Sequence, residues 1–204
     1  MPTPTTAAVL DDLRKQVKDE LVQRDPEVDA IVLGLVSQQH VLFVGEPGIG
    51  KTLVARRVAE RIEGLRSFYR PFGPFTAPEH VFGNISIKGL KDDRQLYVTK
   101  GKLPEAEVGI FDEWTRAGNA VLQEMLLAWN EREFEQDGQM VEMPLMCGIF
   151  LSNHLPDLDK ESTDLGAVYD RILLRYESQP VIDAQGLRDL DEVRLEKHPP
   201  TLLT

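Results

Sequence analysis

An α/β fold built on a mostly parallel sheet is what this sequence predicts, and three observations carry that expectation. Short apolar runs rich in β-branched and aromatic residues recur along the chain, as at His40-Val41-Leu42-Phe43-Val44. The segments between them are long enough to hold crossover helices, the connection that parallel strands need. The run at 40–44 passes through a glycine-bearing segment straight into helical periodicity, which makes a strand, loop and helix unit.

Taken in order, the chain starts with a frayed tail to about Thr6, after which Leu10, Leu13, Val17 and Leu21 recur at helical spacing. Pro26 breaks that helix, and Val28 to Val36 reads as a second, more buried one ending near Ser37-Gln38-Gln39. Beyond the strand at 40–44, Val54, Val58 and Ile62 share one helix face with Ala55 and Ala59 beside them, until Gly64 ends the helix. Further strands are expected at Ser67 to Pro71, Val108 to Phe111, Met146 to Leu151 and around Ile172 to Leu174. Leu122, Met125, Leu126 and Trp129 occupy i, i+3, i+4 and i+7, a core-facing stripe that makes Trp129 a packing residue. Asp137-Gly138 lies between strand-like flanks from Phe134 to Val141 and predicts a protruding β-hairpin. The stretch from Asp183 to Glu196 reads as charged and weakly helical, and His198-Pro199-Pro200 precludes a regular ending.

Composition narrows the function. A chain of 204 residues suits one well-buried domain. Its net charge of −11 repels a polyanion, so nucleic acid is a disfavoured partner; Arg56-Arg57 sits at helical spacing and reads as a solvated face. The single cysteine, Cys147, lies in an apolar stretch and reads as a buried, inert thiol with no disulfide partner, which fits a reducing compartment. The longest apolar stretch, Ala30 to Val36, is too short to cross a bilayer, and Met1-Pro2-Thr3-Pro4 does not begin a signal segment. A soluble, cytoplasmic protein is expected.

The chemistry concentrates at four places. Gly45-Glu46-Pro47-Gly48-Ile49-Gly50-Lys51-Thr52 fits G-x-x-x-x-G-K-[ST] between a predicted strand and a predicted helix, the context this motif requires. Its glycines let backbone N–H groups close around phosphate oxygens at a helix N-terminus, with Leu53 continuing the nucleotide-contacting segment. Lys51 is expected to hold the β and γ phosphates of ATP, and Thr52 to offer its hydroxyl to Mg²⁺. Val108 to Phe111 then runs into Asp112 and Glu113 about sixty residues later. Alone, that pair would read as a cap and a solvated carboxylate; after a P-loop it reads as a metal-binding Asp112 and a water-activating Glu113. Asn153 follows the next strand, where an amide could bond both γ-phosphate and lytic water, although a loop Asn before Pro is also an ordinary turn residue. Asp170-Arg171 fits a surface ion pair as well as an arginine finger reaching into a neighbouring subunit.

In that order, these residues resemble a MoxR-family AAA+ ATPase. Pro78-Glu79-His80-Val81-Phe82-Gly83, Gly101-Lys102-Leu103-Pro104-Glu105-Ala106-Glu107, Asn130-Glu131-Arg132-Glu133-Phe134 and Tyr169-Asp170-Arg171 are each similar to segments of the RavA branch. The resemblance covers roughly residues 21 to 176 and implies a three-layer αβα core over residues 1–178, with residues 1–20 as its leading helix and tail. It implies a Walker A lysine at Lys51, Walker B carboxylates at Asp112 and Glu113, a sensor 1 residue at Asn153 and an arginine finger at Arg171. It also identifies the stretch from about Ala77 to Lys102 as a helix-2 insert and the Asp137-Gly138 turn as the tip of a pre-sensor-1 hairpin. Residues 179–204 are similar only to the start of a helical lid, so the sensor 2 arginine is expected to be missing; Arg188 and Arg194 lie in that tail.

What the resemblance implies is a Mg²⁺-dependent, chaperone-like remodelling ATPase, working as a hexameric ring with a von Willebrand factor A domain partner. The absence of a lid motivates the alternative of a nucleotide-switched assembly module with little turnover. A DNA-acting motor on the same core is disfavoured by the −11 charge.

Overall fold

A computed structural model of the chain describes residues 6–156 and 163–181. The expected charged tail from Asp183 to Glu196, with Arg188 and Arg194, lies outside the described residues, as do His198-Pro199-Pro200 and the start before Thr6.

In chain order, α1 (Thr6–Lys18) and α2 (Asp25–Ser37) lead into β1 (Val41–Val44), α3 (Lys51–Glu60) and β2 (Ser67–Pro71). An insert follows, made of α4 (Pro78–Phe82), β3 (Asn84–Ile85), α5 (Ile87–Lys91) and β4 (Tyr97–Val98). Then come β5 (Val108–Asp112), α6 (Asn119–Asn130), the hairpin β6 (Glu133–Gln136) and β7 (Gln139–Glu142), β8 (Cys147–Ser152), α7 (Thr163–Arg171) and β9 (Leu174–Glu177). Five strands form one sheet in the order β2-β5-β8-β1-β9, and every pairing in it is parallel.

The sheet is covered on both faces, which is why β8 at its centre is buried at all six positions and reads as an unbroken apolar run. Alternation along the strands divides the core in two. Val41, Phe43, Val108, Ile110, Ile149 and Leu151 face α1, α2 and α3. Leu42, Phe111 and Phe150 face α6 and α7, among Trp114, Leu122, Met125, Trp129 and Val168. The α/β three-layer fold is therefore as expected, and Trp129 is a core residue, only 4% exposed. Phe111 is the hub of the second layer, with the rings of Phe72, Trp129 and Phe150 centred 5.9, 5.4 and 5.0 Å away. Each such aromatic pair adds about 0.5–1.5 kcal/mol beyond area burial, so the end of β5 is firmly held. The rings fit because Gly109 and Gly148, paired across the ladder, leave room beside Phe111 and Phe150 that any Cβ would fill.

Several boundaries differ from the sequence reading. Pro26 stands in the first turn of α2 and helps to start that helix; a missing N–H is harmless there. Leu21 falls in the turn after α1 yet stays buried at 8% exposure. α3 stops at Glu60, and Gly64 (φ +78°) lies in the turn beyond it. The last strand starts at Leu174, because Ile172 closes α7 instead: its N–H donates to Tyr169 O at 3.1 Å and its side chain is fully buried. Arg175 seals that corner by lying over the Tyr169 ring at 3.8 Å. Arg56 is solvated as expected, whereas Arg57 is partly buried and faces Glu20 at 3.9 Å.

The hairpin forms where predicted, with Asp137 (φ +56°) and Gly138 (φ +70°) both left-handed, the geometry a two-residue turn with the right twist demands. The insert grips its tip. Arg94 Nε and the Gln95 N–H donate to the two Asp137 carboxylate oxygens, each at 2.9 Å, and Tyr97 N–H donates to Gln136 Oε1 at 3.2 Å. The Arg94 bond holds the Asp137 carboxyl below its ordinary range.

His40, just before β1, is buried with both ring nitrogens engaged: Gly148 N–H donates to Nδ1 at 2.9 Å, so Nε2 carries the proton toward Trp129 O at 3.0 Å. Burial lowers its pKa, against the Trp129 bond and with help from the Arg132 charge. The folded state thus keeps the ring neutral, while the unfolded chain takes up a proton below roughly pH 6.5. Stability is expected to fall as pH drops through that value, because the unfolded state then binds more protons. Urea midpoints between about pH 7 and pH 5 should decline less steeply in His40→Gln; an equal decline would assign it to other groups.

Candidate functional site

The loop leaves the sheet between β8 and β9. Gly45 N–H donates to Ser152 O at 3.2 Å, and Ser178 N–H donates to Val44 O at 2.7 Å. Gly45 itself has no room for a side chain, since a Cβ there would come within 2.5 Å of Ser178 O. Gly48 (φ +82°) and Gly50 (φ +89°) take left-handed conformations, and nothing lies within 4 Å of where their side chains would stand. Both positions therefore border open space, and both line the same cleft. α3 begins at Lys51, with its first internal bond from Val54 N–H to Gly50 O at 3.0 Å, so the amides at the start of the helix have no partner within it. That combination suits an anion.

Lys51 is only 8% exposed. Its ammonium donates to Gly45 O at 2.5 Å, Glu46 O at 2.8 Å and Asn153 Oδ1 at 3.1 Å, acceptors that phosphate oxygens can replace. Burial lowers its pKa, while the Asp112 and Glu113 carboxylates pull the other way.

Alternation along β5 decides what the two carboxylates do. Val108 and Ile110 face α3, so Asp112 emerges on that same side and accepts a hydrogen bond from Thr52 Oγ1 at 2.9 Å. Glu113 comes after the strand in a left-handed conformation (φ +53°) that a non-glycine residue seldom adopts without being held there. Two neighbours hold it. Trp114, 1% exposed, anchors the following turn in the core, and Asn153 Nδ2 donates to Glu113 Oε1. Asn153, at the end of β8, thus bridges Lys51 and Glu113.

Lys51, Thr52, Asp112, Glu113 and Asn153 line one cleft of about 410 Å³ with Pro47, Gly48, Gly50 and Leu53. Glu46 contributes its carbonyl. The Thr52 hydroxyl and the Asp112 carboxylate are hard oxygen donors that fit Mg²⁺, which takes one or two protein ligands and completes its shell with phosphate and water. Arg171 is not in this group. It is exposed at the end of α7, where its guanidinium donates to Ala167 O at 2.6 Å.

A second cleft of about 370 Å³ continues from the first, sharing Gly48, Gly50 and Leu53 and adding Ile49. Leu21, Val22 and Arg24 wall it on one side, Pro180 and Val181 on the other. Arg24 ties the two walls together by donating to Gln179 O at 2.7 Å, and its Glu27 partner at 3.2 Å balances the buried charge. Sequence reasoning missed these residues, as it missed Tyr69, whose hydroxyl donates to Asp112 Oδ2 at 3.2 Å. No local pattern marks them; they come from opposite ends of the chain or from strand register.

A family model for the MoxR domain of MoxR–vWA–β-propeller ternary systems matches residues 8–197. The chain belongs to the MoxR family of AAA+ ATPases. This MoxR domain is 31% identical over 196 residues to an uncharacterised protein of Methanocaldococcus jannaschii, covering 96% of the chain and 51% of that protein. It is 30% identical over 129 residues to the chaperone MoxR1 of Mycobacterium tuberculosis, covering 63% of the chain and 33% of the chaperone. The crystal structure of a candidate ATPase from Cytophaga hutchinsonii superposes with a TM-score of 0.71 at 16% identity, covering 92% of this MoxR domain and 55% of that chain; the likeness is one of fold. The chain spans about half the length of the first curated relatives it matches. Among the described residues, no helix is long and apolar enough to cross a membrane.

Proposed function

We propose that this MoxR domain binds and hydrolyses Mg·ATP at the first cleft and works in a ring oligomer to remodel a protein partner. The observation that carries the reading is the Asn153 bridge, which joins a phosphate-binding cation at Lys51 to a base at Glu113 in one hydrogen-bonded unit. Lys51 and the amides opening α3 bind the β and γ phosphates, and Thr52 with Asp112 hold the metal. Mg²⁺, when bound, offsets the charge that develops on the phosphates. Glu113, oriented by Asn153, takes the proton of the attacking water. The apolar second cleft, walled by Leu21, Val22, Pro180 and Val181, receives the nucleoside.

Arg171 completes the site from a neighbouring subunit in this reading, which its exposure at the end of α7 supports. A hexameric ring and a RavA-like branch rest on the resemblance of the quoted segments. A partner with a vWA domain agrees with the ternary systems in which the matched family occurs. The net charge of −11 argues for a protein partner over nucleic acid, and a single buried cysteine agrees with the cytoplasm.

The test is steady-state ATP hydrolysis across protein concentrations, beside direct Mg·ATP binding. Specific turnover is expected to rise with concentration as subunits associate. Tight binding with no turnover at any concentration would reduce the chain to a nucleotide-switched module.

A further inference from the structure

Asp112 is held by more than the P-loop threonine. Both Thr52 Oγ1, at 2.9 Å, and Tyr69 OH, at 3.2 Å, donate to the same oxygen, Oδ2. The register explains how Tyr69 reaches it. Tyr69 pairs with Ile110 across the β2/β5 ladder, so Asp112 is its diagonal neighbour on the same face, within range of a long aromatic side chain. The ring is held in turn by α3, since the Arg56 guanidinium lies over it with 5.4 Å to the centroid. Thr52 and Arg56 are four residues apart on α3 and therefore on one face of that helix. A closed circuit results: α3 reaches Asp112 directly through Thr52 and again through Arg56 and Tyr69.

Two donors converging on one oxygen restrict rotation of the carboxylate about its own bond. A threonine hydroxyl that offers a lone pair to a metal ion keeps its O–H for Asp112, and Tyr69, which is no ligand itself, holds the carboxylate independently of it. We propose that Tyr69 is a positioning residue for the metal-binding carboxylate, and that through Asp112 it sets the Mg²⁺ affinity of the nucleotide site. The inference rests on the Mg·ATP reading given above and adds a residue to it.

The experiment measures binding of a fluorescent ATP analogue to the full chain as Mg²⁺ is raised, with the EDTA-treated sample as baseline. Tyr69→Phe keeps the ring under Arg56 and removes only the hydroxyl, so folding is preserved. It is expected to raise the Mg²⁺ midpoint about tenfold, the lower end of what losing a hydrogen-bond partner of a metal-binding group costs. Metal-free nucleotide affinity stays unchanged, a separation that a general loss of packing would not produce. Arg56→Ala should move the midpoint in the same direction by less. Thr52→Ala serves as the reference for losing a direct ligand. An unmoved midpoint in Tyr69→Phe beside a raised one in Thr52→Ala overturns the role of Tyr69 alone. Unmoved midpoints in both overturn the metal site itself.

Discussion

Lys51→Ala is expected to weaken ATP binding by at least about thirtyfold. The side chain is 8% exposed, and its ammonium meets three converging oxygens at the edge of the first cleft. Truncating one partner of a buried, hydrogen-bonded charge pair costs about 2–5 kcal/mol, and each 1.4 kcal/mol is about tenfold in affinity. The substitution removes the ammonium's bonds to Gly45 O and Glu46 O but leaves the left-handed Gly48 and Gly50 and the start of α3 in place, so the deficit should appear in affinity with the fold intact. Calorimetric titration with Mg·ATP reads it directly. Unchanged affinity in a folded variant would remove the P-loop assignment.

Glu113→Gln should separate binding from turnover. The amide keeps the size of the side chain and an oxygen to accept the Asn153 bond, so the strained φ of +53° is still supported and ATP affinity is retained. What disappears is the base, and loss of a positioned base costs about 10²–10⁴ in rate. The same variant tests Arg171. If that arginine acts on the next subunit, mixing Glu113→Gln chains with Arg171→Ala chains creates interfaces where an intact Glu113 meets an intact Arg171. Hydrolysis by the mixture should then exceed that of either variant alone. A mixture as inactive as its components would make Arg171 a residue of its own subunit, in keeping with its bond to Ala167 O.

The parts of the fold that were legible in advance are those encoded within a few residues. Gly48, Gly50 and the Lys51-Thr52 pair announce a loop closing into a helix because only glycine takes those φ values without strain. Asp137-Gly138 announces its hairpin for the same reason. Val108 to Phe111 reads as a strand that runs into Asp112 and Glu113, whereas the left-handed turn that ends its alternation at Glu113 has no mark in the sequence. The misread boundaries have tertiary causes. Ile172 is as apolar as a strand residue, yet it closes α7 because a core position opens there. Leu21 keeps helical spacing although α1 has already ended, since burial beneath the second cleft, and no continuing helix, accounts for its apolar character.

Local sequence, then, was enough for the fold class and for naming Lys51, Thr52, Asp112, Glu113 and Asn153, which the structure gathers at one cleft, because backbone conformation and strand period depend mainly on near neighbours. Which groups meet was settled by packing. Asn153 reaches Lys51 across 102 positions of chain, Arg24 reaches Gln179 across 155, and Tyr69 meets Asp112 through a ladder register. Such contacts follow from the order of strands in the sheet and from the burial of its two faces, a balance summed over the whole core that no short segment encodes.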